Sequence, residues 1–154
     1  RMHQLTLGLI NTSSLEALLD TLRENLLMEF KADTVTLRLS GLQEARAREC
    51  AVDIFDPQAT ELGHFEVFLK SSRPQCGRFK QEQLQYLFGD QAQAIESVAL
   101  IPLGPKTSLG LLAIGSREAS RFHPGMGTLF LTHLGELTGL LLADHLATDT
   151  PTAG

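Results

Sequence analysis

A chain of 154 residues with 43% apolar and 20% charged side chains is long enough to bury one core and too apolar to be disordered. Its formal charge of −5, with no block of Lys and Arg, argues against direct binding to nucleic acid, which needs clustered cations on the phosphates. No apolar stretch nears the roughly 20 residues that span a bilayer, so a membrane segment is not expected either.

The chain opens on Arg1, which points to an upstream region, and residues 1–12 lack the charged-then-apolar layout of a secretory signal. Met2, Leu5 and Leu9 make one stripe of a connector helix. Ser13 and Glu16 have capping-box spacing, and the helix after them carries Leu15, Leu18, Leu19, Leu22 and Leu26 on one face as far as Phe30. TVTLRLS (34–40) alternates as a half-buried strand. Residues 41–49 read as a polar loop, in which RARE (46–49) sets two arginines between acids. CAVDIF (50–55) reads as a second strand stopped by Asp56–Pro57.

Residues 59–70 have helical spacing, SSRPQCG (71–77) breaks that helix, and a short helix carrying Leu84, Leu87 and Phe88 follows Phe79. Strands at 97–103 and 109–115 form a hairpin across GPKTS, with Pro102 expected at a strand end or an unpaired edge. A last helix spans about 125–147, started by His123–Pro124. The chain thus divides into a connector helix (1–12), one folded domain (13–147) and a flexible tail (148–154). Helices grouped between and outside strand pairs predict an α+β fold on an antiparallel sheet.

Three segments, IPL (101–103), LGLLAIGS (109–116) and RF (121–122), resemble the GAF domain. More narrowly, CGRF (76–79) and RFHPGMGTLFLTHLGEL (121–137) resemble the bacterial DUF484 family, which is GAF-like and has no assigned activity. The resemblance covers about residues 14–147. It implies a central antiparallel sheet of about six strands, with the first and last helices on one face. The segments between would cover the other face and enclose a pocket, which in GAF domains holds cyclic nucleotides, tetrapyrroles, haem or small metabolites, or is filled. The cofactor, if any, stays unidentified, and a fold hosts many functions.

His64, Phe65, Phe68, Arg73, Cys76, Arg78, Phe79 and Tyr86 are the candidate ligand-binding residues, a few polar groups among apolar walls. Alternatively the phenylalanines are core and the arginines are solvated. Cys76, near Arg73 and Arg78, is either an activated thiol or a small residue beside a glycine turn. Bilin attachment through cysteine is often followed by histidine, where this chain has Gly77. The NKFDE-type signature of cyclic-nucleotide-binding GAF domains is missing. GAF-type methionine sulfoxide reductases place a cysteine ahead of the strand matching SVALIPL, where this chain has Ser97 and Val98. The alternative reading is a thiol-dependent redox enzyme or sensor, similar to the methionine sulfoxide reductases, that uses Cys76 with or without Cys50 as its partner.

His133 and Glu136 lie one turn apart, but zinc needs three or four ligands, and no metal site is expected. Phe130, Leu134, Leu137 and Leu141, widened by Leu131, Leu140 and Leu142, give the last helix more apolar surface than one sheet needs. GAF domains often dimerise through their terminal helices. The leading expectation is therefore a non-enzymatic, cytoplasmic sensory or protein-interaction module. It would be homodimeric, with a possible small-molecule ligand or protein partner.

Overall fold

The computed structural model describes residues 14–149. The expected connector helix (1–12) and the tail beyond Asp149 lie outside the described residues.

Helix α1 (Leu15–Phe30) is capped one residue later than expected: the Ser14 hydroxyl accepts from the Ala17 N–H at 3.1 Å. Its leucine stripe is buried, and Lys31 ends it in the left-handed conformation. Strand β1 (Thr34–Leu39) turns Leu37 and Leu39 into the core as its alternation requires.

The segment expected as a loop contains a helix, α2 (Glu44–Cys50). Its charges conceal it in the sequence, yet Ala47 and Cys50 face inward, and long side chains tie it to α1. Arg46 pairs with Glu16 at 2.6 Å, and the Arg23 guanidinium donates to the carbonyls of Cys50 and Ala51. Because the helix runs to Cys50 and Ala51 turns left-handed, the expected strand at 50–55 shrinks to β2 (Asp53–Ile54).

The expected helix at 59–70 divides into a 3₁₀ turn (Thr60–Phe65) and α3 (Glu66–Ser71). Leu62, Phe65 and Phe68 are spaced by three, so the 3₁₀ geometry aligns the first two of them on one side. The segment read only as a helix breaker supplies β3 (Gln75–Gly77). Helix α4 (Gln81–Phe88) and a second 3₁₀ turn (Gly89–Ala94) lead into β4 (Ser97–Leu103). A 3₁₀ turn (Pro105–Thr107) joins it to β5 (Gly110–Ser116). Helix α5 (Leu129–Asp149) starts later than expected. Pro124 lies in the turn before it, where Met126 N–H donates to His123 O.

The sheet order is β2-β1-β5-β4-β3. It is α+β as expected, with five strands among the described residues where about six were expected, and one parallel pair, β1 with β2; the other pairs are antiparallel. Pro102 pairs with Leu111 on β5, and the outer ladder with β3 ends at Leu100, so the proline sits where no donor is needed.

One face of the sheet carries α1, α2 and α5 over Leu37, Leu39, Ala99, Ile101, Leu112 and Ile114. Phe30 joins the helices, its ring 5.7 Å from those of Phe122 and Phe130. The opposite face carries the 60–94 segment over Val98, Leu100, Leu111 and Ala113. Every residue of β5 is buried, as a central strand covered on both faces should be.

Candidate functional site

The face expected to enclose a pocket is packed with rings. Phe65 and Phe68 are 2% and 1% exposed, and both join Phe55, Leu62, Phe79, Leu87 and Phe88 in one apolar cluster. Tyr86 lies at its edge with its ring 5.4 Å from that of Phe65. Arg38 closes this edge from β1. Its guanidinium carbon stands 3.9 Å from the Tyr86 ring centroid, while its terminal nitrogens donate to Tyr86 O and Ile54 O, each at 2.9 Å. Burial raises the Tyr86 phenol above its ordinary pKa, against the opposing pull of Arg38.

Arg38 went unremarked in the sequence. The signal for it was a lone cation inside an otherwise uncharged strand, between Leu37 and Leu39. A recess of about 250 Å3 opens at one end of this layer, lined by Ser40, Phe55, Pro57, Leu62, Leu69, Thr107 and Ser108. None of the candidate ligand-binding residues lines it.

Those candidates do not converge. Phe65, Phe68, Phe79 and Tyr86 share the ring cluster. His64 is exposed and only its carbonyl is engaged, accepting from Gln83 at 2.8 Å. Arg73 is also exposed, and Arg78 pairs with Glu96 at 2.7 Å on the surface. Cys76 lies opposite Ala99 and packs against the helix-bearing face, away from the rings. Burial pushes its thiol up to about 11, the reverse of activation.

Neither cysteine is in a disulfide. Cys76 is on edge strand β3, and Cys50 ends the helix leading into the other edge, β2. Four strand spacings separate these edges, about 19 Å, against the roughly 7 Å limit between paired Cα atoms. Ser97 is fully buried and donates to Glu118 O at 2.6 Å while accepting from Phe122 N–H at 3.2 Å. It therefore pins the 117–122 loop.

The two motifs behind the narrower resemblance meet in space. Gly77 of CGRF lies under Pro124 of RFHPG, where a Cβ would come within 3.3 Å of the proline ring. Their arginines are paired locally, Arg78 with Glu96 and Arg121 with Glu118. This arrangement is a structural clasp between β3 and the approach to α5.

The larger concavity lies on the helix-bearing side, along α5. It is an open groove of about 470 Å3 whose floor comprises Ile101, Pro102, Gly135 and Gly139 and whose lip includes Leu140 and Ala143. Helix and strand come close because the glycines have no side chain. A Cβ at Gly135 would stand 2.7 Å from Ile101 Cγ2, and one at Gly139 would stand 3.1 Å from Gly104 N. Ser72 and Pro74 form the far wall, where β3 stops and leaves the end of β4 uncovered. The lining is largely apolar, which suits a side chain or peptide better than a charged metabolite.

Among the described residues, no group of His, Cys, Asp and Glu could hold a metal ion, and no helix is long and apolar enough to cross a membrane. The family model described as "Protein of unknown function, DUF484" matches residues 1–146. No curated protein matches the chain.

Proposed function

The chain belongs to the DUF484 family of unknown function, and from that premise we propose that it is a non-enzymatic protein-interaction module whose working surface is the outer side of α5. One observation carries the reading. Phe65, Phe68 and Phe79 fill the face where a sensory ligand would sit, while an apolar groove of about 470 Å3 opens along α5. Surfaces of that kind mark contacts with other chains. Neither cysteine is in a disulfide, which suits a reducing compartment, so we place the module in the cytoplasm.

The test is site-specific photo-crosslinking in the producing cells. A benzophenone amino acid at Ala143, on the groove lip, is expected to give protein adducts. The same group at exposed Gln85 on α4 is expected to give few. Equal adduct yields from the two positions, or a small molecule retained stoichiometrically in native mass spectra, would overturn the proposal.

A further inference from the structure

Among the large apolar side chains most exposed to solvent are Leu129 and Leu140, at 69% and 72% exposure, and both lie on α5. Between them, on the same side, stand the exposed His133 and Glu136. The spacing along Leu129, His133, Glu136 and Leu140 is four, three and four residues. At about 100° per residue, these positions fall within an arc of about 60° and span about 16 Å of helix. They form one straight outward stripe.

The stripe reads the same from either end. Reversed and laid on itself, it sets Leu129 against Leu140 at each end and His133 against Glu136 twice in the middle. From this self-complementarity we infer that a second copy of the chain docks here, with the two α5 helices antiparallel about a two-fold axis passing between His133 and Glu136. An isologous contact requires that the same patch serve both partners, and this patch meets that requirement in spacing and polarity. The parallel arrangement would set His133 on His133 and Glu136 on Glu136, which gives no such match.

The groove supports the same pairing. Glu136 and Leu140 belong to its wall, so the Leu129 side chain arriving opposite Leu140 stands at its mouth, above Gly135 and Gly139. A stable pair needs about 800 Å2 from each copy, close to a tenth of the 8637 Å2 that the chain exposes. The stripe runs along only about three turns of helix, so the dimer is expected to be concentration-dependent. This inference rests on the α5 surface being the interaction surface and adds the identity and register of its partner.

The test is sedimentation of the whole chain over a concentration series, with circular dichroism confirming that each variant stays folded. The parent is expected to dimerise. Leu140→Asp, at an exposed position, is expected to weaken the dimer at least about tenfold. Glu136→Lys sets a cation against His133, and His133→Glu sets two acids together, so each alone weakens it. The double variant H133E/E136K sets opposite charges against each other across the axis and is expected to recover the parent affinity within about threefold.

A monomer at about 1 mM, a dimer indifferent to Leu140→Asp, or a double variant no better than its parents overturns the pairing. If cross-links from Ala143 then still reach another protein, the interaction reading stands and only the second copy is wrong. If both fail, the reading fails with it.

Discussion

Replacing Phe68 with alanine separates a filled core from a ligand pocket. The ring is 1% exposed within the cluster on the second face of the sheet, so its removal forfeits the transfer energy of a buried aromatic and leaves a void. The transfer part is about 2 kcal/mol. A ring-sized void of roughly 80 Å3 adds about 2 kcal/mol at about 24 cal/mol per Å3 if the neighbours stay in place. The expected loss is therefore about 4 kcal/mol. It would be read from urea unfolding as a lower midpoint with an unchanged denaturant slope. Phe68→Leu, which refills much of the space, is expected to cost less than half as much. If Phe68 instead lined an open pocket, no dry cavity would form. A measured loss below about 1.5 kcal/mol would then refute the filled-core argument.

Ser97→Ala leaves the buried Phe122 N–H without its acceptor, and a loss of about 2 kcal/mol is expected. Hydrogen exchange should show the Phe122 amide losing protection first, and unchanged protection there would contradict the pinning of the 117–122 loop by Ser97. Thr138 is buried with no hydrogen-bond partner for its hydroxyl, so Thr138→Val is expected to raise stability by about 1 kcal/mol in the same urea assay. A destabilised valine variant would count against it. Burial lifts the Cys76 thiol to about 11, so its alkylation by iodoacetamide should be slower than that of an unfolded control at pH 8 and keep rising beyond pH 9. A plateau below pH 9 would contradict this. The raised value also has a stability sign. The folded state favours the protonated thiol, so this contribution is complete below the unfolded pKa near 9 and is lost as pH climbs toward 11.

Where one face of an element meets the core and the other meets water, the sequence alone located it. The alternation of 34–40 and the leucine spacing of α1 are of that kind, and both elements formed as their periods required. Elements failed to show where composition masked the period. Helix α2 is seven residues long and mostly charged, with only Ala47 and Cys50 buried, too few for a stripe to register. Strand β3 is three residues long, and what makes it a strand is the edge of β4, a partner more than twenty residues away in the chain. The candidate site suffered from a related ambiguity. Phe65 and Phe68 carry the same spacing whether they line a pocket or fill one, and only their neighbours Phe55, Phe79 and Phe88, drawn from three other segments, decide it.

Helix α5 shows the ambiguity at its greatest. Leu129, Phe130, Leu131, Leu134, Leu137, Leu140, Leu141 and Leu142 surround it so evenly that no period distinguishes inside from outside. Leu140 and Leu142 are alike in chemistry, yet one is 72% exposed and the other fully buried. What fixes the rotation of the helix is its pair of glycines. Gly135 and Gly139 must face Ile101, Pro102 and Gly104, because nothing larger fits there. With that side turned inward, Leu131, Leu134 and Leu142 enter the core and Leu129, His133, Glu136 and Leu140 turn to solvent. The small residues four apart were thus the signal to read first. They say which way the helix faces, and the outward stripe on which the proposed pairing rests follows from that orientation alone.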